Sequence, residues 1–272
     1  VGPDTLVIAM SQSGETADTL GAVKVARAKG APIVGITNVI GSALARESTG
    51  VVYTPAGPEI GVASSKTFTA TIMAAYLLAL WLGRRRGTLT ADAGRKHVQG
   101  LLELPRLIEK TLELDAPVAA LARELARYKD FLFLGRGIHY PIALEGALKL
   151  KELSYLHAEG YPAGEMKHGP IALIDEGLPV VALIPKDATY DRMMGNVEEV
   201  RARDGRVIAL AHEGDREAKA KADWVIPVPA AEELLSPILM AIPLQLLAYH
   251  VAVRLGRDVD QPRNLAKSVT VE

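Results

Sequence analysis

The sequence predicts an α/β protein whose parallel sheets lie between helices, an αβα sandwich built twice, with the first copy incomplete. Three observations predict it. Short continuous apolar runs alternate with segments of helical period. The same alternation returns at an offset of roughly 175 residues, as a duplicated domain would show. The second copy opens with a strand–turn–helix unit that has no match ahead of position 5.

The elements follow in order. Residues 5–10 (TLVIAM) form an apolar run suited to a strand buried on both faces. Residues 16–29 have helical spacing and stop at Gly30. Strands follow at 31–36 and 50–54, and an apolar helix at 59–82 closes at Gly83. Residues 87–129 are charged and helical, with breaks predicted at Pro105 and Pro117. The second copy begins with a strand at 131–134, a Gly-Arg-Gly turn and a helix through Glu152. Strands at 178–184, 206–210 and 223–227 then enclose a helix at 191–203, and an apolar helix at 232–255 closes at Gly256. Strands joined through single helices imply right-handed crossovers and parallel pairing. The domain boundaries read as 1–86 for the first copy, 87–125 for a helical connector, 126–255 for the second copy and 256–272 for a tail.

Composition narrows the function classes. With 31 Lys+Arg against 32 Asp+Glu in 272 residues the net charge is −1, which argues against nucleic acid or an anionic membrane as partner. Any anion site must be local. Cysteine is absent, which removes disulfides, thiolate metal sites and a thiol nucleophile and fits the cytoplasm. The histidines lack metal-ligand spacing, so no metal and no other cofactor is expected. The apolar stretch 67–82 falls short of the roughly 20 residues that cross a bilayer, and a buried core helix is expected there.

Four constellations could carry chemistry. SQSGET at 11–16 joins a buried strand to a helix, and Ser11, Gln12, Ser13 and Thr16 offer hydroxyl, amide and backbone donors to an anion. It has no lysine and no Walker spacing, which suits a sugar phosphate. Ordinary helix capping by Ser and Thr is the alternative. The corresponding loop at 185–190 lacks the hydroxyl cluster, so one phosphate site is expected. Glu145, Lys149 and Glu152 fall within about 60° on one helix face at 100° per residue. Two carboxylates beside one ammonium can divide orienting and proton-moving roles, whereas a solvated salt-bridge face is the plain alternative. His168 sits in the Gly-rich stretch 164–170, where a histidine can equally stand idle. The tail at 258–272 carries Lys267 among apolar residues that can pin it down.

These four segments together resemble the isomerase part of the glucosamine-6-phosphate synthases, which is built from two sugar isomerase (SIS) domains. The resemblance rests on SQSGETADT (11–19), EIGVASSKTFT (59–69), LEGALKLKELSYLHAEGYPAGEMKHGP (144–170) and DVDQPRNLAKSVTVE (258–272), and covers essentially the whole chain. It implies five-stranded parallel sheets and the conversion of fructose 6-phosphate and ammonia to glucosamine 6-phosphate. It further implies that Ser11, Gln12, Ser13 and Thr16 hold the phosphate, and that Val62 and Ser64 contact the sugar. Glu152 would shuttle the proton between C1 and C2, His168 from a neighbouring subunit would open the ring, and Lys267 would assist, which implies a homodimer. Glu145 and Lys149 would line the site, burial and Glu145 raising the base's pKa and Lys149 lowering it.

Two departures accompany the resemblance. The family's glutaminase domain with its N-terminal cysteine is missing, as is the first strand with its Gly-Thr-Ser loop. The chain therefore reads as a fragment, with apolar surface bared on Leu6, Val7 and Ile8. Expressed alone from Val1 it is expected to be poorly soluble or inactive, and its native form to carry a further N-terminal segment. A sugar-phosphate-binding module without catalysis, or a related phosphosugar isomerase or deglycase, is the competing reading. A sensor would need the serine loop without Glu152, His168 and Lys267 together.

Overall fold

The structure, a computed structural model, describes residues 1–267. The last five positions of the tail fall outside them. The chain divides into two compact units, Val1–Gly94 with the tail from Arg263, and Arg95–Pro262.

The first unit contains β1 (Val7–Met10), α1 (Ala17–Ala28), β2 (Ile33–Thr37), α2 (Ala43–Glu47), β3 (Gly50–Tyr53) and α3 (Lys66–Arg85). Its sheet has the order β1-β2-β3, all parallel, with Val7 opposite Ile33 and Val34 opposite Gly50. Ala9, Val23, Ala26, Ile33 and Leu44 pack as its core. Gly30, at φ +76°, turns the chain out of α1, which a β-carbon would resist. The strand alternation predicted from sequence is therefore present. β1, however, is half exposed: Leu6, Ile8 and Met10 stand between 42% and 47% accessible, whereas Val180 to Ile184 of the corresponding strand are at most 1%.

α3 corrects two expectations. It starts at Lys66, not 59, because residues ahead of it fold around Glu59, and it runs through Gly83 to Arg85. It is also no buried core helix: only Thr67, Ala74 and Tyr76 are buried, and Leu77 and Trp81 are exposed. It and residues 233–254 are long and apolar enough to cross a membrane by length and composition; only the latter segment is mostly buried. The difference follows from neighbours. The C-terminal helix of the second unit packs against two other helices, and α3 has no such pair among the described residues of its own unit.

α4 (Ala91–Leu112) crosses the boundary between the units, and α5 (Asp115–Leu125) follows it. Pro105 does not break α4, a further correction. The helix carries a strongly one-sided apolar face that buries Leu104, and this packing outweighs one lost backbone hydrogen bond. Pro117 lies in the first turn of α5, where its missing N–H has no intrahelical partner to lose.

The rest of the second unit is β4 (Asp130–Gly135), α6 (Tyr140–Ser154), β5 (His157–Pro162), β6 (Val180–Ile184), α7 (Tyr190–Arg201), β7 (Val207–His212), α8 (Arg216–Lys221), β8 (Trp224–Val228) and α9 (Ser236–Arg254). The sheet is parallel in the order β5-β4-β6-β7-β8. Strand order reverses between β4 and β6, so the turns after these two strands flank the crevice where open α/β sheets bind ligands. β5 is absent from the sequence reading because HAEGYP has neither an apolar run nor clean alternation. α6 packs closely: a β-carbon on Gly146 would lie 2.7 Å from Leu244 and 3.1 Å from the Phe133 ring.

Candidate active site

The serine loop comes first. β1 delivers the chain to Ser11, whose N–H bonds to the Ile36 carbonyl at 3.1 Å, so the loop hangs from the edge of the sheet. Ser11 Oγ and Thr16 Oγ1 share a hydrogen bond of 2.8 Å; Gly14 N–H donates to Ser11 Oγ and Glu15 N–H to Ser13 Oγ. Glu15 reaches over to accept from Ala43 N–H at 2.9 Å and pins the loop to α2. Gly14 has φ +68°, and a β-carbon there would sit 2.1 Å from Ser42 Oγ. Thr16 occupies the N-cap of α1 but makes no capping hydrogen bond with its side chain. Thr16 therefore does not cap α1 through its side chain, while Ser11 and Ser13 accept N–H groups within the loop, and the helix start keeps donors for an anion.

The second unit's equivalent loop differs in kind. Asp187 Oδ1 accepts from both the backbone N–H and the hydroxyl of Thr189, the N-cap of α7, at 2.7 Å each. A carboxylate of the chain itself thus occupies the backbone donor at the N-cap of α7. Buried His139, from the turn after β4, stands 3.4 Å from Asp187 through Nδ1 and 2.8 Å from Ser236 through Nε2. Burial lowers His139 to about 4, more than Asp187 raises it. This network is not legible in the sequence, since its members lie far apart along the chain.

α6 brings Glu145, Lys149 and Glu152 onto one face, as their spacing predicts. Lys149, itself buried, donates to Glu152 at 2.5 Å and stands 3.7 Å from Glu145. The arrangement is no solvated salt-bridge face, because the side chains of Glu145 and Lys149 are 12% and 6% exposed. Burial pushes Glu145 up to about 7, Glu152's charge adding and Lys149 opposing. One Glu145 oxygen is buried with no hydrogen-bond partner. The ammonium is thus committed to Glu152, and Glu145 is a carboxyl able to hold a proton near neutrality.

His168 ends a 3-10 turn at Ala163–His168 with its side chain 74% exposed; its charged neighbour is Glu165, 3.8 Å away. Val62 and Ser64 lie half-buried in the loop ahead of α3. Ser64 Oγ donates to Glu59 at 3.1 Å and shares a 2.5 Å hydrogen bond with Thr67. Lys267 reaches the same loop, 3.3 Å from Glu59 Oε2 and 2.6 Å from the Gly61 carbonyl. Glu59 is a residue the sequence reading passed over. The available signal was a lone carboxylate just ahead of a Ser-Ser-Lys-Thr helix start. Burial alone would raise Glu59, but hydrogen bonds from Thr67 and Ser65 and the charge of Lys267 prevail and hold it at about 2. Within the first unit, then, the structure gathers Ser11, Ser13 and Thr16 in one loop and Ser64 with Lys267 around another. Within the second it gathers Glu145, Lys149 and Glu152. Among the described residues no three His, Asp or Glu side chains form a group that could hold a metal ion.

Comparison with known proteins adds the following. The SIS domain model matches residues 1–81 and 124–255. The chain is 57% identical over 268 residues to glutamine–fructose-6-phosphate aminotransferase [isomerizing] of Thermus thermophilus, covering 98% of this chain and 44% of that protein. It spans less than half the length of such curated relatives. The C-terminal domain of glucosamine-fructose-6-phosphate aminotransferase from Francisella tularensis superposes with a TM-score of 0.90 at 41% identity, over 94% of this chain and 73% of that one. Glucosamine-6-phosphate deaminase from Thermotoga maritima shares the fold at a TM-score of 0.74 and 23% identity, over 97% and 75% of the two chains.

Proposed function

Because the chain belongs to the SIS domain family, we propose that it is the sugar-phosphate part of a glutamine–fructose-6-phosphate aminotransferase. It turns fructose 6-phosphate and ammonia into glucosamine 6-phosphate and water. The observation that carries this reading is the cluster on α6, where one buried ammonium sits between two carboxylates of unequal proton affinity.

The chemistry calls for such groups. The sugar ring opens, ammonia condenses with the C2 carbonyl, and water leaves. One base then takes a proton from C1 and returns it to C2, so it must reach both carbons. Glu152 fills that role, with Lys149 at 2.5 Å fixing its orientation. Glu145 and Lys149 line the site. Ser11, Gln12, Ser13 and Thr16 take the phosphate through hydroxyls, the amide and the N-terminus of α1. Val62 and Ser64 contact the sugar. Lys267 and His168 assist ring opening, His168 from the neighbouring subunit of a homodimer, which its 74% exposure supports. The reaction and the absence of cysteine fit the cytoplasm. In relatives of more than twice this length, a glutaminase portion would deliver the ammonia.

The test is ammonia-dependent formation of glucosamine 6-phosphate from fructose 6-phosphate by the protein that carries this chain. Product that disappears on Glu152→Gln supports the reading. Tight sugar-phosphate binding without product from the unaltered protein overturns it in favour of a binding module.

A further inference from the structure

The loop ahead of α3 is wrapped around a single carboxylate. Glu59 has a side chain only 5% exposed, and it accepts from Ser65 N–H at 2.8 Å, Ser65 Oγ at 3.2 Å, Ser64 Oγ at 3.1 Å and Thr67 Oγ1. These donors come from the start of α3 and the turn before it. Thr67 N–H adds a longer contact of 3.5 Å, and one further donor is Lys267, 208 positions along the chain, whose ammonium also bonds to the Gly61 carbonyl of the same loop. A carboxylate this buried needs a cation as well as hydrogen bonds, and here the cation arrives from the tail.

We propose that Glu59 is the seat of the tail lysine, a positioning residue that ties Lys267 to the loop carrying Val62 and Ser64. This rests on the role given to Lys267 above. An ammonium has three N–H donors. Glu59 and the Gly61 carbonyl take two and so fix the direction of the third, which serves the substrate. The same contact registers the tail against the loop that meets the sugar. Arginine would not replace this lysine, since a planar fork cannot give one N–H to Glu59, one to Gly61 and a third out of their plane.

Two variants of the full-length protein test the seat without reference to turnover. Trypsin cuts after Lys267 only once the side chain has left Glu59. In Glu59→Gln, cleavage after Lys267, followed by mass spectrometry, should quicken about tenfold, with cleavage after exposed Arg86 unchanged. In Lys267→Gln, the donors from α3 remain, yet amide exchange across residues 59–65 should also quicken about tenfold, with the middle of α3 unchanged. If Glu59 merely caps α3, Lys267→Gln leaves that exchange as it was. Wild-type exchange in Lys267→Gln, or wild-type tail cleavage in a folded Glu59→Gln, overturns the seat. If Glu59→Gln does not fold, the exchange measurement decides alone. Turnover reads the reading beneath it separately: an unaltered protein with a docked lysine and no product refutes the function and leaves the seat intact.

Discussion

At the scale of single residues, the cluster on α6 separates binding from chemistry. Glu152→Gln keeps the shape and a hydrogen-bond acceptor for Lys149 but removes the base. We expect kcat to fall by about 10²–10⁴, the usual worth of general base catalysis, while sugar-phosphate affinity stays close to wild type. Deuterium exchange at C1 or C2 that continues at the wild-type rate in this variant would refute the assignment. His139 gives a second prediction. Its folded value of about 4 lies below the ordinary 6.5, so between these values the unfolded chain binds the extra proton. Stability from this group is complete above about pH 6.5 and is lost as pH falls towards 4, by at most about 3 kcal/mol at 1.36 kcal/mol per unit. Denaturant titrations at pH 7 and pH 5 should differ less in His139→Gln than in wild type. Glu145 works in the opposite sense. Its value of about 7 exceeds 4.5, so its contribution is full below 4.5 and lost as pH rises to 7, and in denaturant titrations Glu145→Gln should gain on wild type across that range and hold the gain above it.

At the scale of elements, the serine loop depends on one backbone conformation. Gly14→Ala must hold φ near +68° and push into Ser42 and Thr37. Calorimetry with inorganic phosphate or fructose 6-phosphate should show affinity reduced at least about tenfold, with α1 still formed. This loop was legible in the sequence because its signals are local: an apolar strand, a hydroxyl cluster and a helix start. The same holds for the face shared by Glu145, Lys149 and Glu152, which helical period alone brings together. What could not be read depends on distant partners. β5 is a strand because β4 lies beside it, and HAEGYP has no intrinsic pattern to announce that. α4 runs through Pro105 because of what its apolar face meets. The exposure of α3 is of the same kind, because apolar composition tells how well a helix can be covered and not whether its neighbours cover it. Glu59 escaped for the same reason, since its defining contact is with Lys267.

At the scale of the whole molecule, the proposed dimer makes a complementation prediction. His168→Ala and Glu152→Gln subunits are each inactive alone under the shared-site reading. A verified mixed dimer regains one intact site, so roughly half of the wild-type activity per dimer is expected, by independence of separated sites. No recovery would return His168 to its own subunit's site. The duplication itself has a further consequence. The second copy carries a tethered anion, Asp187, where the first leaves its helix donors for a guest. A tethered group sits at an effective concentration that a dissolved ligand at ordinary levels does not match. Titration should therefore saturate at one sugar phosphate per chain. Mass action then counts one ligand per chain: at 100 times its dissociation constant it adds about 2.7 kcal/mol, not twice that. In hydrogen exchange, inorganic phosphate, which calls on the serine loop alone, should slow opening at the start of α1 and leave the start of α7 as it was, making the duplicated fold an internal reference for its own ligand response.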